Sequence, residues 1–205
     1  TIIMIRTEFL GGDKKGGLEV SGKKVVDIGA YVGDTAIFFI LEGARHVYAI
    51  EPYPHFYNIG KKNAVANGMG SRITMINAAV GKRSSSAKVD AAERNFAGKK
   101  LKARKNQKRI RIMNLSEIVG RYKIRDGALK VDCEGHEYEI LLGADRETLR
   151  KFSHMEIEYH YGYSNIAKKL EGAGFSVRNQ GATKRLNFGT RSVMVHGFMQ
   201  AKRVG

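Results

Sequence analysis

The chain has 205 residues, enough for one domain with a sizeable core, and its 42% apolar and 27% charged residues are the balance of an ordinary soluble globular protein. Its longest apolar runs, such as Ala36–Leu41, are far too short to span a bilayer, and one cysteine, Cys133, excludes an internal disulfide or a multi-cysteine metal site and fits a reducing cytoplasm. The net charge of +16 suits contact with a polyanion such as nucleic acid, although a general basic bias explains it equally well. The opening Thr1–Arg6 lacks the basic start, apolar stretch and cleavage site of a secretory signal. Because it begins at Thr, residues 1–20 read as a short extension with an incomplete start.

Strand-like and helix-like segments alternate from Lys24 onward, which predicts a single α/β domain with a mainly parallel sheet. Lys24–Ile28 is the first strand and Asp34–Glu42 the first helix, stopped by Gly43. His46–Glu51 is the second strand, and Pro54–Asn67 a helix closed by Asn67-Gly68. Arg72–Ala78 follows as the third strand. Residues 80–122 then break the rhythm as a basic insertion. It contains a strand near Ala87–Ala91, another at Ile110–Met113, and a short helix from Asn114 capped by Asn114 or Ser116. Between these strands, Lys99–Arg111 carries eight Lys or Arg and no aromatic residue. Leu129–Cys133 is the fourth strand, with a helix from about Gly135 to Gly143. His154–Tyr159 is the fifth strand, Ser164–Glu171 a helix, and the apolar stretches Phe175–Arg178 and Ser192–Gln200 form a closing hairpin.

The motif VVDIGAYVGDT at 25–35 reads as a buried strand ending on a carboxylate, a glycine turn, and a helix start. A dinucleotide site would bring a pyrophosphate to this turn. Asp27 and Asp34 would repel one, and they suit a cofactor bearing an amino group and a sulfonium, S-adenosylmethionine. Gly29 and Gly33 lack a Cβ and would let the backbone approach that ligand. In Ala49-Ile-Glu-Pro-Tyr53, Glu51 ends the second strand, where a carboxylate can accept from both ribose hydroxyls. Asn77, at the end of the third strand, offers an amide for the adenine edge; a turn role is as common.

Leu129–Ala144 places Asp132, Glu134, His136 and Glu137 around a strand end and the next helix start. Helix capping would account for carboxylates there. So many ionisable groups at the ligand-binding edge also make a site for acid–base work, with His136 able to titrate near neutrality. In His154–Gly162, alternation puts Glu156, Glu158 and His160 on one face, His160 at the carboxyl end.

These residues together resemble the FkbM family of class I methyltransferases, through VVDIGAYVGDT, AIEPYP at 49–54, LKVDCEGHEYEILLGA at 129–144 and EIEYHYG at 156–162. The resemblance implies a Rossmann-like three-layer sandwich whose seven-stranded, mostly parallel sheet has one antiparallel strand. It implies S-adenosylmethionine at the carboxyl ends of the strands, held by Asp27, Gly29, Ala30, Tyr31, Gly33, Asp34, Thr35, Glu51, Pro52, Tyr53 and Asn77. It places Asp132, Glu134 and Glu137 near the transferred methyl, and implies O-methylation of a hydroxyl on a small molecule or sugar. The candidate bases are Asp132, Glu134 and His160, with His136, which stands where the family usually has a small residue, behind them. No Asn-Pro-Pro-Tyr-like motif follows the fourth strand, which counts against methylation of an exocyclic base nitrogen. No metal is expected. The rival readings are a nucleic-acid methyltransferase gripping phosphates through Lys99–Arg111, and a cofactor-binding module without catalysis.

Overall fold

The computed structural model describes residues 17–90, 107–187 and 192–205. Strand β1 (Lys24–Ile28) alternates Val25 and Asp27 toward one face of the sheet and Val26 and Ile28 toward the other, and all four are buried. Such two-sided burial marks a central strand. Helix α1 (Asp34–Leu41) follows, then β2 (His46–Ile50), α2 (Pro54–Ala66), β3 (Ile73–Ile76), β4 (Ala78–Val80), β5 (Ser85–Asp90) and β6 (Gln107–Met113). The second half runs α3 (Leu115–Arg121), β7 (Gly127–Val131), α4 (Glu137–Gly143), α5 (Arg146–Leu149), β8 (Phe152–Tyr159), α6 (Ser164–Gly172), β9 (Phe175–Asn187) and β10 (Ser192–Arg203).

Seven strands form one sheet in the order β3-β2-β1-β7-β8-β10-β9. Neighbours from β3 to β8 pair parallel, while β10 runs antiparallel to both β8 and β9. This is the α/β architecture expected, with one antiparallel strand. On one face, Ala36, Ile37, Phe39 and Ile40 of α1 pack with Val25, Val47, Ala49 and Ala128. On the other, α3, α4, α5 and α6 contribute Ile118, Ile140, Leu149 and Leu170 against Val26, Leu129, Val131 and Ile157. The sequential order of the strands reverses between β1 and β7. At such a switch point the two turns diverge and leave a crevice beyond the carboxyl ends of the strands.

Several boundaries differ from the sequence reading for local reasons. The expected strand Arg72–Ala78 is two strands, because Asn77 interrupts it. The Asn77 amide donates to the Glu51 and Pro52 carbonyls, at 3.0 and 2.9 Å, and turns the chain out of the large sheet. β4 then joins β6 and β5 in a second, three-stranded sheet. Helix α5 was not anticipated; Asp145 caps it by accepting from the Thr148 N–H at 2.7 Å. Of the two proposed caps for α3 it is Asn114 that accepts, from the Glu117 N–H at 2.8 Å. Residues 99–106 of the basic run, Ala91 of the strand expected at Ala87–Ala91 and the extension up to residue 16 lie outside the described residues. Among the described residues, no helix is long and apolar enough to cross a membrane.

Candidate active site

The turn after β1 is shaped by contacts within the protein. Gly29 and Gly33 have φ of +80° and +78°, where a side chain is strained. A Cβ on Gly29 would fall 1.7 Å from the Asp132 carbonyl oxygen, and one on Gly33 would lie 3.2 Å from the Gly60 Cα. The glycines therefore let the β1 turn nest on the β7 turn and on α2, a reason different from the ligand approach expected of them. Ala30 is fully buried, and Tyr31 adopts φ +47° with its ring 4.4 Å from that of Phe56.

Asp27 is completely buried. Thr35 Oγ1 donates to its Oδ2, and Lys130 Nζ lies 3.4 Å from its Oδ1. The carboxylate is thus not presented at the open edge. Lys130 was missed, although a lysine inside the apolar run Ala128–Val131 is a conspicuous signal. The parallel register sets Lys130 directly beside Asp27 on β1 and beside Glu156 on β8, pairings that only the assembled sheet supplies. Its ammonium also reaches Asp132 at 3.4 Å and donates to the Gly29 carbonyl at 3.0 Å. Burial opposes the charged amine, but Asp27 and Asp132 outweigh it and hold the Lys130 pKa above its ordinary value. Asp34 opens α1 on its half-buried first turn.

Glu51 caps the end of β2 and is 1% exposed. Its two oxygens accept from the backbone N–H groups of Tyr31, at 3.0 Å, and Tyr53, at 2.8 Å. It therefore ties the β1 turn to the β2 turn. Burial pushes its pKa up to about 7 against the pull of those two donors. Asn77 and the Pro52 carbonyl complete this corner, so the Asn77 amide here holds the loop that carries Glu51.

The second group gathers at the ends of β7 and β8. Glu134 and Gly135 both take positive φ, +54° and +102°, folding a tight turn ahead of α4. Glu137, expected among the groups near the reaction, is fully buried instead. Its Oε2 accepts from the Gly135 N–H at 2.8 Å, and its Oε1 from the His160 backbone N–H at 3.0 Å and from Nδ1 at 2.9 Å. It is a positioning residue: it fixes the His160 ring with Nε2 turned outward. Nε2 lies 3.5 Å from Glu134 Oε2 and 3.9 Å from Glu158 Oε1. Burial would lower the His160 pKa, but the Glu137 hydrogen bond and the charges of Glu137, Glu134 and Glu158 raise it overall. Burial, reinforced by Asp132, pushes Glu158 up to about 7.

Asp132, Glu158 and His160 come together, each offering one donor atom within 4.8 Å of the others. Glu158 shares the face that alternation predicted; His196 Nε2, 2.8 Å from Glu158 Oε1, had no sequence signal because β10 lies far along the chain. His136 does not join them. It is exposed at the start of α4, and its ion contact is Glu139, 4.0 Å away.

The family model described as "Methyltransferase FkbM domain" matches residues 27–177. The chain belongs to the FkbM methyltransferase family. The FkbM methyltransferase from Methylobacillus flagellatus superposes with a TM-score of 0.55 at 18% identity, covering 90% of this chain and 46% of that one. TrmK of M. capricolum, solved with S-adenosyl-homocysteine, gives 0.56 at 13%, covering 90% and 64%. A precorrin-6y C5,15-methyltransferase from Geobacter metallireducens gives 0.50 at 12%, covering 98% and 88%. At such identities the likeness establishes the fold. The chain spans under two thirds of the first two proteins. No curated protein sequence matches it.

Proposed function

We propose that this FkbM-family domain transfers a methyl group from S-adenosylmethionine to a hydroxyl oxygen of a small molecule or sugar. The observation that carries the reading is the His160 imidazole, buried, locked by Glu137 and turned toward Glu158 of β8, the strand it follows, and toward Asp132 at the end of β7, the strand beside β1. A binding module without catalysis has no use for a pre-oriented imidazole among carboxylates.

The residues fit the cofactor. Once ionised, Glu51 is acceptor-only, and two of its roughly four lone-pair directions hold backbone N–H groups, leaving two for the hydroxyls of a ribose. Asp34 and Asp132 supply negative charge on either side of the β1 turn for the amino acid end. When bound, the cofactor supplies a sulfonium methyl that an oxygen lone pair attacks as the carbon–sulfur bond breaks, leaving a neutral thioether. The domain must then align the acceptor and take its proton, by alignment that can supply the largest share of rate. Glu134, beside Asp132, Glu158 and His160 at the mouth, is placed to receive that proton; loss of a general base typically costs about 10²–10⁴-fold.

The test is formation of S-adenosylhomocysteine with a panel of sugars and hydroxylated small molecules, beside calorimetry with S-adenosylmethionine. Glu51→Ala is expected to lose cofactor binding, whereas His160→Asn keeps it and loses turnover by at least 10²-fold. Full affinity in the Glu51 variant would sink the ribose assignment. Unchanged turnover in the His160 variant would sink the catalytic one.

A further inference from the structure

We propose that Asp132, Glu158 and His160 bind a divalent first-row transition-metal ion at the mouth of the site. The proposal rests on the methyltransferase reading only for what the ion does there. Three donor atoms of two kinds, one imidazole nitrogen and two carboxylate oxygens, lie within 4.8 Å of one another. Around an ion with bonds of about 2.0–2.2 Å they would close to roughly 3–4 Å, a shift that side-chain rotation supplies.

The second observation is the state of the imidazole. The His160 side chain is 6% exposed and aimed into the cluster. Its Nδ1 faces a buried carboxylate at 2.9 Å, which fixes the ring hydrogen on that nitrogen and leaves the lone pair on Nε2. That lone pair faces the oxygens of Glu134 and Glu158, at 3.5 and 3.9 Å, so donor atoms of all three side chains converge on one point. The centre of the cluster therefore calls for a cation: a proton on Nε2 or a metal. A carboxylate behind the far ring nitrogen is the usual support for a metal-bound histidine. His196 supports Glu158 in the same manner, from 2.8 Å.

The mixed donor set selects the ion. Calcium and magnesium favour all-oxygen surroundings, whereas an imidazole with carboxylates suits manganese, iron, cobalt or zinc. Three protein ligands leave a position open, as in catalytic sites. An acceptor hydroxyl at that position becomes more acidic. Its proton passes to Glu134, exposed on the turn, and its oxygen keeps the electron pair that attacks the methyl carbon.

The experiment uses the full, tag-free chain stripped with EDTA and titrated with Co²⁺. One equivalent should bind with visible ligand-field absorption. Glu158→Gln and His160→Gln, checked for folding by thermal melting, should each lose that spectrum. Glu137→Gln should weaken affinity by about 10–100-fold. Absence of stoichiometric binding, or binding unchanged in His160→Gln, overturns the site. Full methyl transfer by the EDTA-stripped protein, which would leave a proton on His160 as the only cation needed, overturns the metal and leaves the methyltransferase reading standing. Stoichiometric binding without transfer to any hydroxyl acceptor supports the site and removes the reading of its use.

Discussion

Lys130 is the residue on which the electrostatics of the site turn. Its ammonium is buried between Asp27 and Asp132 and close to Glu156, so its removal strands carboxylates in a low dielectric. Lys130→Met should therefore destabilise the fold by about 3–5 kcal/mol, measured by urea unfolding. Replacing a surface lysine such as Lys108 should shift stability by no more than about 0.5 kcal/mol. Glu51 and Glu158, each raised to about 7, and His160, raised above its ordinary value, set the pH dependence. Between the unfolded carboxylate value of about 4.5 and pH 7, the folded chain holds protons that the unfolded chain has released. Stability consequently falls as pH rises through this window. His160 acts in the same direction: the stability it gives is fully present below its unfolded value and is lost as pH rises through its folded one. Denaturation at intervals from pH 5 to 8 should show the decline, and Glu51→Gln should flatten it. Cofactor affinity should run the opposite way, strengthening as Glu51 ionises. A flat stability profile would contradict the buried state of these carboxylates.

At the scale of elements, the site depends on two turns pressed together. The β1 turn lies against the β7 turn with no room between Gly29 and the Asp132 carbonyl. Gly29→Ala adds a Cβ at positive φ and into that oxygen, so both turns must move. Cofactor affinity should fall more than tenfold while the far hairpin of β9 and β10 stays folded, as hydrogen exchange on its amides would show. Retained affinity would mean that the turns are not coupled. The spacing of Gly29 and Gly33 was plain in the sequence, yet its reason was not, because the atom that Gly29 avoids lies 103 residues further on. Asn77 shows the same limit. Read along the chain it was an amide for a ligand; in the fold it bends β3 into β4 and pins the loop after Glu51.

For the whole molecule, the +16 charge poses the question of nucleic acid. The described part of the basic run is strand β6, whose Lys108 and Arg109 are exposed, while Arg111 pairs with Glu117 at 2.6 Å. β6 belongs to the small sheet rather than to the strand ends that carry His160. Charge without aromatic residues gives phosphate attraction without base stacking. Single-stranded RNA should therefore bind weakly, lose most of its affinity between 50 and 200 mM salt, and gain no methyl group. A methylated nucleoside in the digest of such RNA would replace the hydroxyl acceptor proposed above.

The sequence by itself determined the alternation of strands and helices along most of the chain, the glycine turn at 25–35, the carboxylate at the end of β2 and the cluster of ionisable residues after β7. Each is a local pattern: a period, a cap, a turn residue, or a charge at the end of an apolar run. The tertiary structure decided which of those charges meet. It buried Asp27 against Lys130, made Glu137 the support of His160, left His136 outside, and brought His196 to Glu158. Parallel strands far apart in the chain set these pairings through their register, and no local pattern carries register across such distances.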